Sequence, residues 1–340
     1  MNQVIQKIGV VGAGAWGTAL AATARRAGRD VLIQAHEQDV ADSINQTHEN
    51  TRFLPGVTLD EGIRATTDLG EIAACDTVLL VMPAQFLRAI TSQMAPLWRD
   101  GVPAIICAKG IEQDSGALLS EVAAKTLPGV TLAVLSGPTF AIEVASGQPT
   151  AVTLASHDAQ AAADLSQALG TPTFRAYRSD DMTGAQLGGA IKNVLAIGCG
   201  IIEGRKLGDN ARAAFITRGL AEIARLAAAK GADPETLVGL SGLGDLTLTC
   251  NAMQSRNFSL GVAMGEGRTL DEILAERASV TEGVFTASSA VQLADSLNVD
   301  APICAAMDGI LNNKADIDAT IQNLLARPVG HEAPLGQRIE

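Results

Sequence analysis

Short apolar runs rich in β-branched residues recur through the first 180 residues, separated by segments of helical period. Residues 7–11, 30–35, 76–81, 104–108 and 132–135 read as strands, and 151–155 and 173–176 extend the series. Helical patterns over 14–27, 41–45 and 67–74 fall between them, the first closed by Gly28, while 50–56 reads as a turn. Continuous apolar strands alternating with helices predict a parallel sheet covered on both faces, an α/β domain.

After about Ser179 the alternation stops. Residues 181–202 are apolar and helical in period, without β-branched blocks. Asn210 is placed to cap a helix over 211–230 that Gly231 closes, and Asp233-Pro234-Glu235 starts another with proline in its first turn. Further helical patterns cover 269–277, 284–297 and 302–312. The pattern predicts two domains, an α/β domain over 1–180 and an all-α domain over 181–340, with 331–340 a polar, frayed tail.

The run Ile8-Gly9-Val10-Val11-Gly12-Ala13-Gly14-Ala15-Trp16-Gly17 adds chemistry to the first strand. A strand, then G-x-G-x-x-G, then a small-residue helix is the order of a dinucleotide-binding turn in a Rossmann-type domain. Gly12 permits the tight turn, Gly14 lets backbone approach a pyrophosphate, and Gly17 lets the helix pack closely on its strand. The free N–H groups at the helix start face the diphosphate. The end of the second strand selects between NAD and NADP, since a carboxylate there accepts from a 2′-hydroxyl and repels a 2′-phosphate. Here it carries His36 and then Glu37, so both cofactors stay open; the alternative for His36 is a solvent-exposed loop residue.

Composition narrows the function classes. A net charge of −12 argues against general binding to nucleic acid or to anionic membranes. Apolar stretches are broken by glycine and charge before they reach the ~20 residues of a membrane span, and the N-terminus lacks a signal-peptide pattern. Cys75, Cys107, Cys199, Cys250 and Cys304 are dispersed, with no C-x-x-C, as in a protein of a reducing compartment. None of the four histidines stands at a metal-ligand spacing from Cys or a carboxylate, so no metal site is expected.

Acid–base chemistry then falls to other side chains. Lys109 and Thr139 lie at predicted carboxyl ends of strands, where ligands sit in open parallel sheets; the alternative for Lys109 is a solvated loop lysine. Lys192 lies in the apolar helix of 181–202, beside Gly188, Gly189 and Ala196, which let a ligand or another backbone come close. Either Lys192 snorkels to solvent, or burial lowers its pKa and makes it a usable general acid. Asn193, on the adjacent stripe, is placed to orient a substrate hydroxyl. Asp245, in the turn Gly242-Leu243-Gly244-Asp245-Leu246, is either a helix cap or the partner of a catalytic lysine. Arg256, between Ser255 and Asn257, has the fork geometry for phosphate, although an exposed arginine is the default reading.

In order, Gly12–Ala21, Lys109-Gly110, Ser136-Gly137-Pro138-Thr139-Phe140-Ala141, Gly189-Ala190-Ile191-Lys192-Asn193, Gly242–Leu246 and Ser255-Arg256-Asn257 resemble the bacterial NAD(P)-dependent glycerol-3-phosphate dehydrogenases, over about residues 7–327. The resemblance implies reversible hydride transfer between NAD(P)H and dihydroxyacetone phosphate, giving sn-glycerol 3-phosphate for phospholipid synthesis, in a cytoplasmic enzyme and possible homodimer. It implies Lys192 as proton donor and acceptor, and Asp245, Asn193 and Thr249 as the hydrogen-bonding group around the reacting carbon. Lys109 would contact both substrate and cofactor. Gly137, Thr139, Ser255, Arg256 and Asn257 would contact substrate. Gly12, Gly14, Ala15, Trp16, Gly17, His36, Ala141, Arg256, Val280 and Glu282 would contact the cofactor. Ala15 departs from the hydroxyl residue of many relatives, and relatives often carry Arg near His36. Two other readings remain at this point: another two-domain hydroxyacid or 6-phosphogluconate-type dehydrogenase, and a non-catalytic dinucleotide sensor. The Gly-Asp-Leu turn followed by Ser255-Arg256-Asn257 separates the first from the family named.

Overall fold

The computed structural model describes residues 5–276, 281–329, 332 and 335–337. The chain forms two compact units, Met1–Ala108 with Leu119–Met182, and Lys109–Leu118 with Thr183–Glu340.

Among the described residues the first unit is built on ten strands: β1 (Lys7–Val11), β2 (Asp30–Gln34), β3 (Glu49–Asn50), β4 (Leu54–Thr58), β5 (Ile63–Thr66), β6 (Thr77–Leu80), β7 (Ala104–Ile106), β8 (Leu132–Ser136), β9 (Thr150–Ala155) and β10 (Phe174–Ser179). Eight of them make one sheet in the order β10-β9-β8-β7-β6-β1-β2-β5. The chain starts in the middle, at β1, and strand order reverses between β1's two neighbours, β2 and β6. Ligands bind beyond the strand ends at such a switch point. Val10, Val11, Leu79, Leu80, Ile105 and Ile106 are fully buried, as expected of strands covered on both faces.

The sheet departs from the parallel expectation at one place. β8 and β9 pair antiparallel, and β9 and β10 then run parallel to each other. Helix length accounts for this. The helix between β8 and β9, Ala141–Ala145, has five residues, about 7 Å, too short to return the chain along a strand of about 16 Å. The helix Ala159–Leu169 has eleven, which is enough to return the chain from β9 to β10.

Other differences are local. Residues 50–56 are more than a turn, because β3 and β4 form a bulged antiparallel hairpin there. β5, at the sheet edge, was not legible because only Ile63 of its four residues is buried. The helix over 211–230 begins at Asp209 and is preceded by Gly208 at φ +90°, so Asn210 is inside the helix and does not cap it.

The second unit is helical. Its central helix, Met182–Gly204, is long and apolar enough to cross a membrane, but its apolar stretch is wholly buried in protein, as a core helix is. Leu187, Ile191 and Leu195 join one apolar cluster and Val194, Ile197 and Ile201 another. The helix Arg256–Gly265 crosses it closely. A Cβ on Gly200 would lie 2.8 Å from Gly261 Cα, and one on Gly204 would lie 2.9 Å from Gly265 Cα. Two glycine pairs, each four residues apart, thus let two backbones touch. The segment Lys109–Leu118 contributes Ile111 and Leu118, both buried, to the same core.

Candidate active site

The Gly-rich turn connects β1 to the helix Ala15–Arg26. Each glycine has a separate geometric reason. Gly12 sits at φ +105°, with Met82 N 2.9 Å from where a Cβ would be. A Cβ on Gly17 would lie 1.9 Å from the Gly12 carbonyl oxygen, which is how the helix packs against its strand. Gly14 differs, because a Cβ there would meet no atom within 4 Å. Its lack of a side chain leaves open space in front of a helix N-terminus that has no side-chain cap and no acidic residue in its first turn. A diphosphate fits that arrangement: uncapped N–H groups, a favourable dipole and room for close approach.

Around the turn, Trp16 and Ala15 are partly buried against the sheet core, as is Ala141 at the start of the helix Ala141–Ala145. The indole N–H of Trp16 is buried with no hydrogen-bond partner among the described residues. His36, beyond the end of β2, is exposed. Gly137 and Thr139 follow β8; a Cβ on Gly137 would lie 2.9 Å from Val152 Cα, and the Thr139 hydroxyl donates to the Gly137 carbonyl at 3.3 Å.

The second unit gathers a cluster of charged groups. Asp245 is fully buried and begins the short helix Asp245–Thr249. Lys192 Nζ donates to Asp245 Oδ1 at 2.6 Å and to Thr249 Oγ1 at 2.8 Å. Lys109 Nζ donates to the other carboxylate oxygen, Oδ2, at 2.6 Å. One carboxylate therefore bridges two ammonium groups. Lys192 does not snorkel; its side chain is 8% exposed, against 16% for Lys109. Burial is the main cause that lowers the Lys192 pKa, to about 8; Asp245 opposes the shift and Lys109 adds to it. The glycine beside Lys192 makes room for backbone, because a Cβ on Gly188 would lie 2.5 Å from the Ser241 carbonyl oxygen.

One residue further along the same helix, Asn193 Oδ1 accepts from Asn257 Nδ2 at 3.0 Å. Asn257 Oδ1 in turn accepts from the Gly283 N–H at 3.1 Å. Ser255 is the N-cap of the helix Arg256–Gly265, its hydroxyl accepting from Phe258 N at 3.2 Å. Arg256 therefore stands at the first turn of a capped helix tied to the residue next to Lys192. It keeps solvent-accessible surface, while the protein around it lowers its pKa by desolvation and the Glu282 carboxylate acts the other way. Glu282 opens the helix Glu282–Ser296.

Lys109, Lys192, Asp245 and Thr249 thus come together directly, and Asn193, Ser255, Arg256, Asn257 and Glu282 are joined to them through hydrogen bonds and adjacency. Gly12, Gly14, Ala15, Trp16, Gly17, His36, Gly137, Thr139 and Ala141 belong to the first unit. Val280 lies outside the described residues. Two supports were not read from the sequence. Gly283 must be glycine, because a Cβ would lie 2.7 Å from both Asn193 O and Asn257 Oδ1. Asn50, fully buried, donates to the Ala13 carbonyl at 2.7 Å and to Thr18 Oγ1 at 2.8 Å, pinning the Gly-rich turn. Their only sequence signals were a lone Glu-Gly pair and an asparagine in a polar turn.

Comparison with known proteins agrees along the chain. Residues 7–162 match the model for the NAD-dependent glycerol-3-phosphate dehydrogenase N-terminus, and residues 181–322 that for its C-terminus. The chain is 60% identical over 330 residues to a glycerol-3-phosphate dehydrogenase [NAD(P)+] of Rhodospirillum rubrum, covering 97% of this chain and 95% of the relative. A protein of the same name from Caulobacter vibrioides is 53% identical, covering 96% of this chain and 99% of its own. The crystal structure of glycerol-3-phosphate dehydrogenase from Coxiella burnetii superimposes with a TM-score of 0.92 at 39% identity, covering 96% of this chain and all of that one. Two family models in register and near full-length identity of this order leave one assignment: the chain belongs to the NAD-dependent glycerol-3-phosphate dehydrogenase family, and is an NAD(P)-using oxidoreductase.

Proposed function

We propose that the Lys192–Asp245–Lys109 cluster is the proton-transfer site for interconversion of dihydroxyacetone phosphate and sn-glycerol 3-phosphate. The observation that carries this reading is the buried Lys192 ammonium, 2.6 Å from Asp245 and 2.8 Å from Thr249, with its pKa lowered to about 8. A group poised there donates and accepts a proton near neutral pH.

When bound, the dinucleotide would supply hydride chemistry; Gly12, Gly14, Gly17, Ala15, Trp16, His36 and Ala141 would hold it, and the family resemblance adds Lys109, Arg256 and Glu282. Reduction of the ketone carbon would leave negative charge developing on its oxygen. Lys192 gives that oxygen a proton, and Lys109 adds a second positive charge. Asp245 holds both lysines and, with Thr249, fixes the direction of the Lys192 Nζ hydrogens. In the oxidative direction the neutral amine of Lys192 accepts the hydroxyl proton. Arg256, with Ser255 and Asn257, anchors the substrate phosphate; binding energy remote from the reacting carbon then orients it. Asn193 orients the hydroxyl of the reacting carbon, and Gly137 and Thr139 are further substrate contacts.

The same reading makes the protein a cytoplasmic enzyme that supplies the glycerol backbone of phospholipids, and a homodimer. The test is a purified-enzyme assay with dihydroxyacetone phosphate and NADH or NADPH, in wild type and Lys192→Ala. Turnover in the wild type and near-silence in the variant support the reading, and a near wild-type rate in the variant ends it. Light scattering at assay concentration tests the dimer.

A further inference from the structure

NADP and NAD differ only at the adenosine ribose 2′ position, which in this fold lies beyond the end of β2. Here that end carries Ala35, exposed His36 and Glu37. The β3–β4 hairpin brings an arginine to the same place. The Arg52 guanidinium is 3.7 Å from Glu37 Oε1 and 3.6 Å from Asp39 Oδ2, and its carbon is 5.2 Å from the centroid of the Phe53 ring. Neither ion pair is short enough to be a hydrogen bond. The Arg52 side chain is 46% exposed and Glu37's is 34% exposed. The fork is thus drawn to the strand end by two carboxylates without being committed to either.

This is more than a loose surface arginine, because the hairpin under it is tied down. Asn50, two residues away, is fully buried and bonded to Ala13 of the Gly-rich turn and to Thr18 of the helix after it, and accepts from Phe53 N at 3.0 Å. On the other strand Gly56 N donates to Glu49 Oε1 at 2.7 Å. The backbone that presents Arg52 is therefore fixed relative to the turn that receives the diphosphate.

We propose that Arg52 is the residue that takes the 2′-phosphate of NADP(H), and that Glu37 and Asp39 compete with the phosphate for it. A 2′-phosphate meets a planar fork suited to two-point pairing, against the repulsion of two carboxylates. A free 2′-hydroxyl needs no cation and donates to Glu37. The chain thus admits both dinucleotides, with their ratio set by a three-residue charge balance. This inference rests on the Gly12–Gly17 turn being the dinucleotide site.

The test is binding, without turnover. Dissociation constants are measured by calorimetry for NADPH, NADH, adenosine 2′,5′-bisphosphate and AMP, in wild type, Arg52→Gln, Glu37→Gln and Gly14→Val. Loss of a charge-assisted pair predicts that Arg52→Gln weakens NADPH and the bisphosphate by about tenfold or more, with NADH and AMP changed by less than about twofold. Glu37→Gln is expected to tighten NADPH and the bisphosphate. Equal effects of Arg52→Gln on the phosphorylated and unphosphorylated ligands, or no effect on either, overturn the proposal. Undiminished NADH binding by Gly14→Val instead overturns the underlying reading of the turn, and is distinguishable because it involves no 2′ group.

Discussion

Lys192 Nζ and Asp245 Oδ1 meet at 2.6 Å, with the aspartate wholly removed from solvent and the lysine nearly so. The second oxygen of the same carboxylate holds Lys109. One carboxylate therefore serves two lysines, an arrangement that on the proposed reading would stabilise an anionic substrate and a developing alkoxide.

The proton-transfer role predicts that Lys192→Ala binds the dinucleotide like wild type but loses turnover by about 10²-fold or more, the scale of general acid catalysis. Titration with NADH and steady-state rates, measured on one preparation, separate the two effects.

The lowered pKa sets a pH dependence. On the proposed role, reduction of the ketone uses the ammonium form of Lys192, so its rate is expected to fall as pH rises through about 8. Oxidation of the alcohol needs the amine and rises over the same range. Asp245→Asn removes the group that opposes the shift and moves both limbs to lower pH. For stability, the folded value of about 8 lies below the ordinary lysine value of 10.5. Holding Lys192 charged thus costs the fold stability at pH 7, and that cost disappears between pH 8 and 10.5. Melting curves of wild type and Lys192→Met are expected to shift in favour of the wild type across that interval.

Anchoring of the substrate phosphate by Arg256 predicts that Arg256→Ala raises KM for dihydroxyacetone phosphate by about tenfold or more, the value of a charge-assisted pair, and more than it raises KM for the dinucleotide. Equal increases for both would remove the clamp from the scheme.

The glycines of the turn predict opposite failures. A Cβ on Gly14 meets no protein atom, so Gly14→Val is expected to keep its melting temperature and lose dinucleotide affinity. A Cβ on Gly17 strikes the Gly12 carbonyl, so Gly17→Ala is expected to lose about 1–3 kcal/mol of stability. Calorimetric unfolding beside a binding titration checks both.

The Gly200–Gly261 crossing predicts a structural route to lost activity. Gly261→Val would drive the Ile197 carbonyl, 2.0 Å from its Cβ, away from the helix Arg256–Gly265. The Asn257–Asn193 bond lies at one end of that crossing. A lower melting temperature together with a higher KM for the phosphorylated substrate is the expected outcome.

Much of this was legible along the chain. β1, its glycines and the helix after them are local events, governed by side-chain size and backbone torsion within about a dozen residues. The change near Ser179 from alternating strands to helices was likewise visible as a change of period. The antiparallel turn of β9 was hidden, because it depends on the length of a five-residue helix whose limits few residues mark. Lys192 was ambiguous, since the same apolar helix allows a snorkelling lysine or a buried one.

The sequence alone determined the residue types: which turn carries the glycines, which helix carries a lysine among small residues, which arginine follows a serine cap. Only the tertiary structure decided that Lys109, in a segment that leaves the sheet after β7, joins the helical core and shares Asp245 with Lys192. Those partners are separated by 136 and 53 residues, so no local spacing encodes their meeting. Desolvation does the rest: folding removes water from around Lys192 and lowers its pKa to about 8, and that is a property of the packed core.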